Sequence, residues 1–459
     1  MAEAYIVAAT RTAGGKRGGR LRGWHPVDIA ARVLDELVLR AGIDGAAVDD
    51  VIMGCVSQAG EQSAQVGRSA VLASSLPDSV PAVTIDRQCG SSQQALHFAA
   101  QSVMSGAQDM VIAAGVESMT RVPMGLPMSG AAAAGAPAMP WPPSVLERFQ
   151  VPMFSQFTGA EMMARKYDLS KVELDTFALE SHRRAAVATD GGAFADEILV
   201  LDGEDAEGNT VRHDCDEGIR TDATLAGIAS VKLLAPDGRI SAANASQICD
   251  GASGVLVVNE RALKAHGLIP LARVHHMTVT AGDPVIMLEE PIPATRRALE
   301  RAGMQIRDID LFEVNEAFAS VPLAWLKETG ADPARMNVNG GAIALGHPLG
   351  ATGTKLMATL VYALRNRGLR YGLQTRCEGG GTANVTIVEA LYTSIQRAIT
   401  ARPLSAAARI VPGVRDRRGA GAGWRMPLSA ARLPRSARCP ISPASSIVAT
   451  TVTQASVPA

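Results

Sequence analysis

The sequence has no apolar stretch approaching the roughly 18 residues that a membrane-spanning helix needs. It also has no basic region and long apolar segment of a secretory leader: Met1 leads almost directly into the apolar run Tyr5–Ala9. Charge of one sign is missing as well, since 44 Lys and Arg face 45 Asp and Glu, for a net charge of -1. That balance gives no reason to expect nucleic acid or an anionic membrane as partner, and a small-molecule ligand is the better expectation. Paired cysteines are absent too. The six stand far apart at 55, 89, 215, 249, 377 and 439, without metal-type spacing or the density of a disulfide scaffold. A reducing, cytoplasmic setting and no metal site are therefore expected.

What is present is 459 residues, 47% hydrophobic, enough for one large core or two smaller ones. Short β-rich runs alternate with Ala-rich helical runs, as in a helix over Pro26–Ala41, a strand over Asp50–Gly54 and a helix after Cys89. The Ala, Gly and Pro segment from Ala131 to Pro143 interrupts this pattern and predicts a loop entering a different region. Alternation resumes after Gly251. The prediction is an α/β protein with a half over 1–118, an inserted region over 119–250 and a second half over 251–391. From Ala401 onward there are nine Arg, no Lys and a single acid, Asp416, without periodicity. Residues 392–459 are expected to be a disordered tail; a solvated arm, an anion-binding arm and a reading-frame artefact all fit that composition.

Four segments carry candidate chemistry. Cys89 lies in VTIDRQCGSSQQALHFAAQSV, where an apolar run turns into a helix. A sulfur at a helix N-terminus should see a favourable dipole and a lowered pKa, which makes Cys89 a candidate nucleophile, although a lone cysteine is more often a small buried hydrophobe. His347 sits in the glycine-crowded run NVNGGAIALGHPLGATG, which lacks the endings of a P-loop or dinucleotide fingerprint. There it could serve as base or oxyanion donor, or be structural. Cys377 occurs in RCEGGGTANVTIVEAL, beside three glycines that either expose amides to a ligand or form a hairpin turn. Asn315 and Glu316 follow a predicted strand over Ile309–Val314, at the carboxyl end where α/β sheets bind ligands, or simply cap a helix.

In order and wording, DRQCGSSQQA, EVNEAFA, GGAIALGHPLGATG and CEGGGTANV together resemble the thiolase family, with further likeness in GVESM, GAEMMA and SAANASQICDGASG. The resemblance runs from about Ala4 to Leu391. It implies two similar doubly wound α/β halves packed in layers, an inserted loop domain over the coenzyme A site, and a homodimer or homotetramer. It further implies that Cys89 accepts the acyl group, that His347 activates it and that Cys377 acts as acid and base. One oxyanion site would comprise His347 and a water held by Asn315; the other, the amides of Cys89 and Gly379. Ser246 and Arg220 resemble residues that contact the pantetheine and nucleotide parts of coenzyme A, which would be a co-substrate, with no tightly bound cofactor.

The sequence departs from the family pattern at Ala13, where many relatives have proline, and at Glu378, where an apolar residue is common. The run PMFSQFTGAE lacks the His-Met pair of short-chain biosynthetic members, which favours a degradative 3-ketoacyl role over acetoacetyl-CoA synthesis. A ketoacyl-synthase-like condensing enzyme would use two histidines, and a thiol redox protein would show Cys-x-x-Cys. A non-catalytic acyl-CoA binder would not need all four positions.

Overall fold

A computed structural model describes residues 3–392. The expectation for the tail beyond Tyr392 lies outside the described residues.

The periodicities read from the chain become elements whose ends have local causes. Helix α1 (Pro26–Ala41) starts with proline at its first position, where no amide is needed, and with His25 accepting from the Val27 amide. It stops at Gly42, which is left-handed (φ 65°). Its Ile29, Val33, Leu34 and Leu37 share one face and are buried, each worth about 1.5–3 kcal/mol.

Nine strands form the main path: β1 (Tyr5–Thr12), β2 (Asp50–Gly54), β3 (Ala82–Ile85), β4 (Met110–Ser118), β5 (Cys249–Val258), β6 (Ala272–Ala281), β7 (Leu311–Val314), β8 (Tyr371–Glu378) and β9 (Thr382–Ala390). The first half runs β3-β2-β4-β5-β1 and the second β7-β8-β9-β6. In each half two neighbouring strands are parallel, and the strand that follows reverses direction. An isolated parallel bridge between Phe312 and Met336 occupies the edge of β7 that corresponds to β3. The second half thus repeats the order of the first. Contrary to a picture of two separate sheets, β1 also pairs with β6 through Tyr5–Arg273 and Ile6–Ala272, so one sheet path crosses both halves.

Helices α2 (Ser91–Ser105) and α4 (Thr352–Arg367) form a shared inner layer. Their Leu96, Val103, Met357, Leu360 and Leu364 pack with Val111, Val255 and Val257 of one half and Leu311 and Val388 of the other. Helix α1 covers the outer face of the first half, and α3 (Pro291–Ala302) with Trp325 covers that of the second. A Cβ on Gly353 would fall 2.0 Å from the Gln93 amide nitrogen, so α2 and α4 touch backbone to backbone where both begin. The segment 119–250 is more ordered than its composition suggests, with helices Leu126–Ala133, Pro143–Phe149, Gln156–Lys166 and Lys171–Asp190. Among the described residues no helix is long and apolar enough to cross a membrane, and no cluster of three metal-ligating side chains occurs.

Candidate active site

Cys89 stands in a tight turn that joins β3 to α2. Gln88 takes a left-handed conformation (φ 48°), and its amide donates to Asp86 Oδ1 at 2.6 Å. Ser91 Oγ accepts from the Arg87 amide and donates to the Gln88 carbonyl, which closes the turn. A non-glycine residue in that region costs about 1 kcal/mol or more, and this lattice of short bonds holds it there. Cys377 lies within β8 near its carboxyl end, and is buried where Cys89 is half-buried. Both are free thiols.

The two cysteine segments meet. Gly90 lies directly against the Glu378 carboxylate, and Gly379 against the Gln88 side chain. The fully buried Arg376 donates to the Cys89 carbonyl at 3.0 Å, to Gln93 Oε1 at 2.8 Å and to the Thr352 carbonyl at 3.4 Å. Thr352 in turn meets His347: its Oγ1 lies 2.6 Å from Nδ1 and donates to the Pro348 carbonyl. With that hydroxyl committed as a donor, Nδ1 carries the ring proton and Nε2 keeps a lone pair. Asn315 Nδ2 approaches this lone pair at 3.4 Å, while its buried Oδ1 has no protein partner. Residues 89, 315, 347, 352, 376 and 377 therefore form one connected group around the ends of α2, α4, β7 and β8.

Ser246 is half-buried one residue from Gln247, whose carbonyl accepts from the His347 amide, and its own amide donates to the Ala317 carbonyl at 2.9 Å. Arg220 is exposed; its backbone amide donates to His182 Nδ1 and its carbonyl accepts from the Ala223 amide. The structure thus brings Ser246 beside the histidine loop and leaves Arg220 at the surface. A cleft of about 440 Å³ beside Arg183, Arg184 and Arg367 contains none of the predicted site residues.

Electrostatics correct one expectation. Burial, then the Glu378 carboxylate, push the Cys89 thiol upward rather than toward a resting thiolate. Burial, then Cys89, do the same to Cys377. The helix-terminus effect is real but worth only fractions of a kcal/mol to about 2 kcal/mol, less than the cost of a charged sulfur away from water. His347 is lowered to about 3 by burial and then by Arg376. Both shifts favour the uncharged forms, the protonated thiol of Cys89 and the neutral imidazole of His347.

Sequence reasoning passed over Arg376 and Thr352. A signal for the first existed: Gln374, Arg376 and Glu378 alternate in a strand, the pattern of a polar face, yet all three are fully buried. Only buried partners explain that face. Thr352 lies one turn beyond His347 in a helix start and has no distinctive pattern.

The sequence and the fold both have counterparts among known proteins. The family described as "Thiolase, N-terminal domain" matches residues 4–261, and "Thiolase, C-terminal domain" matches 268–390. The steroid 3-ketoacyl-CoA thiolase FadA6 of Mycobacterium tuberculosis is 50% identical over 396 residues, covering 85% of this chain and 95% of that protein. A Yersinia pestis 3-ketoacyl-CoA thiolase is 39% identical over 406 residues, covering 85% and 100%. Among solved structures, the Bacillus anthracis acetyl-CoA acetyltransferase superposes with a TM-score of 0.78 at 36% identity, covering 85% of this chain and 99% of that one. The human mitochondrial 3-ketoacyl-CoA thiolase gives 0.76 at 33% identity, covering 85% and 99%.

Proposed function

Because the chain belongs to the thiolase family, we propose a catalytic cycle in which Cys89, His347 and Cys377 cleave a 3-ketoacyl-CoA with free coenzyme A. The enzyme is an acyltransferase of lipid degradation. In the first half-reaction the Cys89 thiol gives its proton to His347 Nε2 as sulfur attacks the 3-keto carbon. The oxyanion formed there is met by the amides of Cys89 and Gly379. The bond between C2 and C3 then breaks, leaving an acyl thioester on Cys89 and the enolate of acetyl-CoA.

Enolate charge falls on the thioester oxygen. His347, now carrying a proton on Nε2, donates to it together with a water held by Asn315. Cys377 delivers its thiol proton to the carbanion carbon and releases acetyl-CoA. In the second half-reaction the Cys377 thiolate takes the proton of incoming coenzyme A, whose sulfur attacks the acyl thioester. The Cys89 sulfur leaves and recovers its proton from His347, which balances the cycle.

The observation that supports this reading is the bonded group around Arg376, which ties the Cys89 turn and, through Thr352, the His347 imidazole to the strand that carries the free thiol of Cys377. Coenzyme A is a co-substrate, with Ser246 at its pantetheine and Arg220 toward its phosphates. Substrates are 3-ketoacyl-CoA esters with bulky acyl groups, a choice supported by the name of the 50% identical relative and by the missing His-Met pair. The divisions 1–118, 119–250 and 251–391 and a cytoplasmic location belong to the same proposal.

A second copy completes the enzyme as a homodimer or homotetramer. The edge strand β3 and its flanking helices expose Leu72, Val83 and Phe98, an apolar strip that another chain can cover. Turnover of a 3-ketoacyl-CoA should vanish in Cys89→Ala, and iodoacetamide should label Cys89 first. Retained turnover in that variant would overturn the cycle.

A further inference from the structure

Beneath the two cysteine segments lies a carboxylate that the cycle above does not use. Glu378 follows Cys377 on β8 and is fully buried. Thr382 Oγ1 donates to its Oε2 at 2.8 Å and the Asn384 amide to its Oε1 at 3.1 Å. Its other side presses on the nucleophile turn: a Cβ added to Gly90 would fall 1.9 Å from Oε1. Only glycine leaves room for this contact, one residue after Cys89. Arg376, two residues back and on the same face of β8, holds the Cys89 carbonyl. An anion and a cation on one strand therefore grip the turn that carries the nucleophile.

Burying a carboxylate here has a cost, and plain packing would be met by an apolar side chain. We propose that Glu378 is a positioning residue: its carboxylate braces the Cys89 turn through Gly90 and opposes negative charge on the sulfurs of Cys89 and Cys377. The inference rests on the reading of Cys89 as nucleophile. It makes the carboxylate an influence that acts beside burial in disfavouring the thiolates, most directly at Cys89, against Arg376, which favours the ionised forms.

The groups facing Glu378 can be named by element. Arg376 and Cys377 come from its own strand, Arg87 and Cys89 from the turn before α2, Thr382 and Asn384 from β9. From α2 comes His97, which meets Asn384 and is held neutral by burial. Burial raises Glu378 itself to about 7, with Thr382 and then Arg376 acting the other way. Its charge therefore develops across neutral pH. Below that range the carboxyl is neutral and exerts little field; above it the full charge acts on the sulfurs.

The test compares Glu378→Gln with the parent enzyme by iodoacetamide alkylation from pH 6 to 9, read at the Cys89 peptide by mass. The amide keeps the shape: its oxygen can still accept from the Asn384 amide, and its NH2 can donate to Thr382 Oγ1, which turns from donor to acceptor, so charge is the main loss. Cys89 alkylation at pH 8 should rise about threefold to tenfold, tenfold being one unit of thiol pKa. The difference should shrink toward pH 6. An identical pH dependence in the two proteins would overturn the proposal. Gly90→Ala, which must displace the carboxylate, should move the profile in the same direction and lower kcat more than it raises KM; a profile and kcat like the parent's would also count against it. Because labelling is read at Cys89 whether or not the enzyme turns over, failure here is distinct from failure of the cycle, which Cys89→Ala reports.

Discussion

Arg11 is fully buried in β1 and faces two carboxylates, Glu197 and Asp216, that invite unequal predictions. Its Nε donates to Glu197 Oε1 at 2.6 Å, and its two terminal nitrogens bind Asp216 in a fork at 2.8 and 3.1 Å. Asp216 also accepts from the Gly14 amide at 2.7 Å and lies 3.8 Å from Lys355 Nζ. Glu197 has Thr359 Oγ1 at 2.9 Å as its other donor, while its Oε2 is buried without a partner. Burial raises both carboxyls. For Asp216, Arg11 and then Lys355 outweigh burial and hold it below the ordinary value; for Glu197, Arg11 does not suffice and the carboxyl stays raised.

Asp216→Asn leaves two buried cations with one imperfectly satisfied carboxylate and should cost about 3–5 kcal/mol, the loss expected on breaking a buried ion pair. Glu197→Gln removes a charge whose burial is poorly repaid, and should cost less than about 1 kcal/mol. Urea unfolding of the parent and both variants, with slopes compared, measures the difference. Asp216 is depressed in the folded state, so its contribution is full above its unfolded value of about 3.9 and is lost as pH falls through the folded value. The gap between parent and Asp216→Asn should therefore stay constant above about pH 5 and close only in more acidic buffer. Equal costs for the two variants would refute the reasoning, as would a gap that closes near neutrality.

Thr352→Val removes the hydroxyl that fixes the His347 tautomer. It should lower kcat about 10- to 100-fold at nearly unchanged KM, as loss of a tautomer-orienting partner does, and steady-state kinetics with a melting curve separate this from unfolding. If β3 is an assembly edge, Val83→Lys should shift the mass measured by sedimentation toward a single chain; an unchanged mass would place the contact elsewhere.

The elements were mostly legible. Helix Pro26–Ala41 and strand Asp50–Gly54 fall where periodicity put them, and β5 begins at Cys249, two residues before Gly251, after which the alternation was expected to resume. Asp250 and Gly251 extend because β4 pairs with them, and Cys249 because Lys16 does, a tertiary cause that no local pattern carries. The site was legible as wording: Cys89, His347, Cys377 and Asn315 each stood in a recognisable run, and the structure gathers those runs. The resting state of the sulfurs was not. A strand-to-helix junction advertises a helix terminus, but the burial of Glu378 and Arg376 depends on β8, β9 and α2 closing over them, and those lie almost 300 residues apart in the chain.

The repeat of strand order explains why residues so distant meet. Cys89 precedes α2 after the third strand of the first half; His347 precedes α4 after the corresponding bridge at Met336 in the second. Since α2 and α4 are the two helices of the shared inner layer, equivalent positions in the halves face each other across one seam. The seam is closed by cross-half bonds as well as by packing: the buried Glu117 of β4 accepts from the Gly350 amide of the histidine loop, and Ser92 Oγ accepts from the Thr354 amide. Geometry at the reacting atoms is thus tied to the packed inner layer through these bonds. That is the property proton transfer between positioned groups requires, because misplacement by about 1 Å can cost two orders of magnitude in rate.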